Sequence, residues 1–206
     1  TVWKMAQKDE VEKIEQAFDS IGEIYIADGH HRAASAVKVS LKRREAKKDY
    51  TGKEEFNYFL SVLFPDDQLY IMDYNRSVKD LNGWTKEEFF EQIQKFFILT
   101  ALDHMQKPEK KGQIAMYLEK EWYLLEAKEE LLQIDDTVRS LDVSLLQEYL
   151  LEPVLGIKDP RTDARIDFIG GIRGMEELER RADSDMKVSF AMYPTSIGEL
   201  FAVADA

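Results

Sequence analysis

Two of the three histidines in the chain adjoin a carboxylate and a guanidinium in the run Asp28-Gly29-His30-His31-Arg32. Gly29 can adopt backbone angles closed to residues that carry a Cβ, which suits a sharp entry into a helix. The first amides of a helix lack intrahelical acceptors, and the helix dipole adds partial positive charge there. Arg32, placed in the first turn, adds a planar fork matched to phosphate. Together these groups predict an anion site at Gly29 and Arg32. Asp28 would repel a bound phosphate unless Mg2+ bridged the two, or unless it accepted the proton of a substrate hydroxyl. Asp28, His30 and His31 are therefore the candidate catalytic residues, and Asp28 is also the candidate metal ligand. The adjacent histidines leave the helix start in different directions, so one can meet a ligand while the other packs or caps. An Asp before a Gly at a strand-to-helix junction is equally an ordinary capping device.

Further along the chain, Asn75 and Arg76 follow a predicted strand, and strand ends are where α/β folds commonly present side chains to ligands. Arg76 could hold a phosphate or carboxylate that Asn75 orients; the alternative is a turn with a surface arginine. Residues 159–167 alternate acids with arginines and lead into Gly170-Gly171-Ile172-Arg173-Gly174. Asp167, Gly170, Gly171 and Arg173 could build a second anion nest. A turn laced with exposed, weak salt bridges is the alternative. The basic residues Lys38, Lys42, Arg43, Arg44, Lys47 and Lys48 could line a nucleic-acid or phosphate surface, but the stronger expectation is that they complement the negative end of a helix and solvate its face. His104 stands alone in a polar loop, the three tryptophans are scattered, and no histidine or cysteine spacing suits zinc.

The elements that must position these groups follow from periodicity. Val11, Ile14, Ala17 and Phe18 recur at helical spacing over residues 8–20. Residues 23–27 predict a buried strand and 31–48 a helix. Residues 56–64 and 68–74 predict two strands around Pro65-Asp66-Asp67. Thr85 with Glu88 forms a capping box for a helix over 86–96. Strands are expected at 97–102, 112–118, 121–127 and 187–191, with a hairpin around Glu119-Lys120. Asp142 is expected to cap a helix that ends before Pro153. Helices are expected at 175–182 and 197–205, the latter opened by Ser196 and Glu199. The fold class is therefore mixed α and β, with hairpins as well as strand–helix alternation.

A length of 206 residues suits one large domain or two small ones. Hydrophobic residues at 44% and charged residues at 33% fit a globular protein with a core. The net charge of −12 argues against non-specific binding to nucleic acid, whose phosphates would be repelled. No apolar run approaches the ~20 residues that span a bilayer, so no membrane partner is expected. The absence of cysteine removes disulfide and thiol chemistry, and a cytoplasmic setting is the expectation. The chain starts at Thr1 and stops within a predicted helix, so a fragment of a longer two-part protein is expected.

Tyr25-Ile26-Ala27-Asp28-Gly29-His30-His31-Arg32 resembles the signature of DUF1015, and the segments 74–81, 141–146, 166–171 and 193–196 resemble its other signatures. The likeness is to the carboxy-terminal part of that family. The Gly-x-His-Arg pattern between strand and helix is also similar to the ParB/sulfiredoxin superfamily, whose corresponding turn holds nucleotide phosphates. That resemblance implies a ParB/sulfiredoxin-like strand-loop-helix core over about residues 1–80, with the rest of the family's carboxy-terminal portion over 81–206. Members include phosphotransferases acting on free serine, CTP-dependent partition proteins and ATP-using sulfinic acid reductases. The reductase activity is excluded by the missing cysteine. Ala33-Ala34-Ser35 departs from the Tyr-Glu-Thr that usually follows the arginine, and the glutamate base of the serine kinases is expected before Thr1. The implied activity is a kinase on serine or a similar hydroxylated metabolite, with ATP, ADP or pyrophosphate and Mg2+. The rival is a regulatory module that senses a nucleotide without turning it over.

Overall fold

The structure, a computed structural model, describes residues 1–47 and 49–206. It divides into two compact units, Thr1–Phe64 and Pro65–Ala206. Lys48, the last of the basic residues singled out above, lies outside the described residues.

The first unit carries two helices, α1 (Lys8–Asp19) and α2 (His30–Ala46). α1 places Val11, Ile14 and Phe18 on one stripe and opens with Asp9 and Glu10, which complement the helix dipole. The far end of α2 is tied to the segment after it. Arg44 Nε donates to Asn57 Oδ1 at 2.7 Å, its guanidinium lies 5.4 Å from the centre of the Tyr50 ring, and Lys47 pairs with Glu54 at 2.8 Å. The basic end of this helix is thus spent on local structure.

The strand predicted at 23–27 does not form, and neither do those at 56–64 and 68–74. Residues 55–57 and 66–68 make single 3-10 turns instead. β-branched and aromatic composition favours a strand only where a ladder partner exists, and no strand of the described residues pairs with these runs.

The second unit is built on one six-stranded antiparallel sheet: β1 (Tyr74–Val78), β2 (Phe97–Leu102), β3 (Gln113–Leu118), β4 (Glu121–Ala127), β5 (Ile166–Gly170) and β6 (Val188–Met192), in the order β2-β4-β3-β6-β1-β5. The β3–β4 hairpin turns on Glu119 and Lys120, both at positive φ, the geometry that matches strand twist. α3 (Lys86–Ile93) opens with the expected reciprocal Thr85–Glu88 box, and α7 (Ile197–Asp205) with the Ser196–Glu199 one. α4 (Glu129–Leu132) is a single turn, and α5 (Asp142–Leu146) runs on into a π turn over Gln147–Leu151. The main core lies on one sheet face, where Phe89, Ile93, Leu146 and Leu150 meet Met116, Leu125, Val188 and Phe190. On the other face α6 (Glu176–Ala182) and the turn before it bring Leu178 and Met175 against Ala115, Tyr117, Trp122, Ile169 and Ala191.

β1 is a correction to the sequence reading. Asn75 and Arg76 lie within a strand one place in from the sheet edge, between β5 and β6, rather than after one. Its buried polar residues, Asn75 and Ser77, are accommodated because they are paired: Ser77 Oγ lies 2.8 Å from Ser189 Oγ, which bonds the Leu178 carbonyl on α6. Asp142 is a second correction. It is the first residue of its helix and caps nothing; its carboxylate accepts from the Gly112 amide at 2.9 Å instead.

Candidate functional site

In the first unit, the five residues of the Asp28–Arg32 run sit together at the start of α2. Gly29 is the N-cap at φ 86° and ψ 24°, a left-handed conformation that favours glycine. No side chain caps the helix. The first backbone bond runs from the Ala33 amide to the Gly29 carbonyl at 2.9 Å, so the amides of His30, His31 and Arg32 precede the intrahelical ladder and point outward. Asp28 therefore does not act as the ordinary cap that its position allowed. Its carboxylate accepts instead from Arg32 Nη2 at 3.2 Å, and both side chains are exposed. An exposed pair of this kind contributes at most about 1 kcal/mol, so a ligand can displace it at small cost. The Arg32 guanidinium folds back over Gly29, where a Cβ would stand 2.9 Å from Nη2. Both histidines are exposed. Among the described residues no group of three or more His, Asp or Glu side chains could hold a metal. Asp28 alone could still contribute one carboxylate to Mg2+, an ion that commonly takes its other ligands from phosphates and water.

In the second unit, alternation along β1 sends Asn75 and Arg76 to opposite faces of the sheet. Asn75 is fully buried and uses both ends of its amide internally: Nδ2 donates to Asp73 Oδ2 at 2.7 Å, and Oδ1 accepts from the Met192 amide at 2.9 Å. The amide of Gly171 donates to the Asp73 carbonyl at 2.8 Å. A Cβ on Gly171 would collide with Asp73 Oδ1, so this glycine is required by close approach to Asp73. One amide of the predicted nest, that of Gly171, thus already serves the fold, and the Gly174 amide just after the nest bonds the Gly171 carbonyl. Gly170 ends β5 with open space around it. Asp167 pairs with Arg181 of α6 at 2.8 Å, which holds its carboxyl below the usual range. Arg173 is largely exposed, 3.8 Å from Glu177. The acids and arginines of 159–165 pair locally, as in Asp159–Arg161 and Asp163–Arg165 at 2.9 Å each.

Two residues not singled out from the sequence join this side of the sheet. Asp73 and Lys107 stand 3.6 Å apart in a cleft of about 280 Å³, with Tyr70, Met175, Met192 and Tyr193 among its walls. The spacing Asp73-x-Asn75 could have pointed to Asp73, since alternate positions of an extended chain share a face. Lys107 arrives from a loop that carries no such signal. Arg76, on the opposite face, lines a separate hollow of about 270 Å³ with Phe168, Gln147 and Glu148. Asp142 is a third group whose chemistry no local motif announces. Burial pushes its carboxyl up to about 6 against the opposing pull of the Gly112 amide and Lys111.

The second unit is thus a mixed α/β domain with a helix-covered antiparallel sheet, and the first presents an uncapped, glycine-started helix. The chain belongs to the DUF1015 family, described as a protein family of unknown function, whose model matches residues 1–144. That span contains the Asp28–Arg32 turn, Asp73, Asn75, Arg76 and Asp142. The segments 166–171 and 193–196 lie beyond it. No curated protein and no solved structure matches the chain. Among the described residues, no helix is long and apolar enough to cross a membrane.

Proposed function

We propose that the chain binds a phosphate-bearing small molecule, either a nucleotide (ATP or ADP) or pyrophosphate with Mg2+, on the first turn of α2, and that it transfers a phosphoryl group to a hydroxylated metabolite such as free serine. The observation that carries this reading is the uncapped start of a 17-residue helix behind a left-handed Gly29, with Arg32 folded over it. Free amides, the helix dipole and a guanidinium converge there, which is the composition of a phosphate cradle. The likeness of this turn to the nucleotide-binding turn of ParB/sulfiredoxin proteins supports the same assignment. In the transfer, the acceptor hydroxyl oxygen would bond to phosphorus as the bond to the leaving phosphate breaks, and Asp28 would take the hydroxyl proton. Mg2+ beside Asp28 would supply charge neutralisation on the phosphates.

A nucleotide-sensing module is the second reading, and the exposure of Asp28 favours it. Its side chain is 94% accessible and stands open to water. Both readings need the same phosphate site. Titration calorimetry of the intact protein with ATP, ADP, CTP and pyrophosphate, each with Mg2+, tests that site. Arg32→Ala is expected to weaken the best ligand by about 1.5–3 kcal/mol, the scale of a lost charged hydrogen bond. If the unsubstituted protein binds none of the four, the phosphate reading is wrong.

A further inference from the structure

Among the described residues, Arg76 is a cation without an anion. Its guanidinium lies 5.4 Å from the centre of the Phe168 ring and 5.7 Å from that of Tyr74, and the two rings stack on each other at 5.2 Å. The one hydrogen bond it donates among the described residues goes to the Tyr74 carbonyl, although a guanidinium has five N–H donors. No carboxylate of the described residues lies within ion-pairing distance of it. Burial lowers its pKa to about 10, which still leaves it charged at neutral pH. Arg76 is half-buried, and the two rings offset part of the cost of burying its charge, but no counter-ion among the described residues balances it.

The shape around Arg76 says what could. The hollow it lines is walled by Phe168, Leu151 and Val143, with Gln147 and Glu148 at its polar side. Glu148 is already held by Arg139, whose Nη2 lies 2.9 Å away. Gln147 donates through Nε2 to the Ile157 carbonyl at 2.8 Å, while its buried Oε1 has no partner. We propose that this hollow binds a small monocarboxylate with an apolar, flat body, the carboxylate held by the fork of Arg76 and the body lying against Phe168, Leu151 and Val143. One guanidinium balances one negative charge, and Glu148 in the same hollow would repel a phosphate dianion. The site is independent of the phosphate site proposed on α2, and neither needs the other.

Benzoate is the probe, with benzyl alcohol as its uncharged counterpart and inorganic phosphate as the competing anion. In amide-resolved NMR titrations of the intact protein, benzoate is expected to give saturable shifts at Phe168, Ser144 and Gln147. Benzyl alcohol should bind at least about tenfold more weakly, the factor that a charged hydrogen bond supplies. Arg76→Gln should lose about tenfold or more in benzoate affinity, and Arg76→Lys, which keeps the charge but not the fork, should retain part of it. Absent or non-saturable shifts with benzoate, equal binding of benzyl alcohol, or unchanged binding by Arg76→Gln would each overturn the proposal. Phosphate that shifts the Phe168, Ser144 and Gln147 amides and saturates them at lower concentration than benzoate would overturn the choice of a carboxylate. If Arg76→Gln does not fold, the comparison of benzoate with benzyl alcohol on the unsubstituted protein decides the matter alone.

Discussion

Asp28→Asn is expected to lower phosphoryl transfer by about a hundred- to ten-thousand-fold, the range lost with a general base, while nucleotide affinity stays close to that of the unsubstituted protein. Asparagine keeps the size of the side chain and an oxygen that can still accept from Arg32, so the helix start should persist. It removes both the proton acceptor and the negative charge that would face Mg2+. The amides of His30, His31 and Arg32, which carry most of the proposed phosphate contacts, are untouched. The assay follows phosphorylated product over a panel of hydroxylated metabolites that includes serine. Product formed equally well by the variant would remove Asp28 from both roles. If the unsubstituted protein binds a donor but phosphorylates no acceptor, the sensing module becomes the better reading.

Asp142→Asn is expected to raise stability at neutral pH and to change the pH dependence of unfolding. In the folded chain burial raises the Asp142 carboxyl from 3.8 to about 6. Between those values the folded state holds the proton more tightly than the unfolded state does, so stability from this group falls as pH rises. The accumulated loss approaches about 3 kcal/mol above pH 6, since each tenfold difference in proton affinity between the two states corresponds to about 1.4 kcal/mol. Asparagine carries no charge to bury, and its Oδ1 can still accept from the Gly112 amide. Lys111 and Glu199, which act on the Asp142 carboxyl with opposite signs, are paired with each other at 2.6 Å. Urea unfolding of both proteins from about pH 4 to pH 7 should show the variant gaining on the parent by most of that amount. A difference that does not vary with pH would mean that Asp142 is solvated in the folded protein.

Local signals were legible wherever one segment settles its own structure. The boxes at Thr85 and Ser196 formed as their spacing predicts, and so did the two-residue turn at Glu119-Lys120. The exchange of strands at residues 68–78 shows what local pattern cannot supply. Among the described residues the apolar run before Asp73 has no ladder partner, whereas polar Asn75, Arg76 and Ser77 form an inner strand because β5 and β6, some ninety or more residues away, close around them. A buried Asn beside a buried Ser argues against a strand until the Met192 amide, Asp73 and Ser189 are known to satisfy them. Gly171 was legible as important but not for its reason, which is a neighbour ninety-eight positions earlier in the chain. The Asp28–Arg32 turn needs only Gly29 and the helix behind it, so its local geometry followed from the sequence even though the strand expected before it is absent.

A phosphate cradle on the first turn of α2 can be sought by following the backbone amides of the intact protein by NMR as pyrophosphate with Mg2+ is added. The amides of His30, His31 and Arg32 precede the intrahelical ladder and should take the phosphate oxygens. They are therefore expected to show the largest saturable downfield shifts, and Arg32→Ala should weaken that response. Saturation at other amides with these three unmoved, or no saturable response at all, would show that the first turn of α2 holds no phosphate.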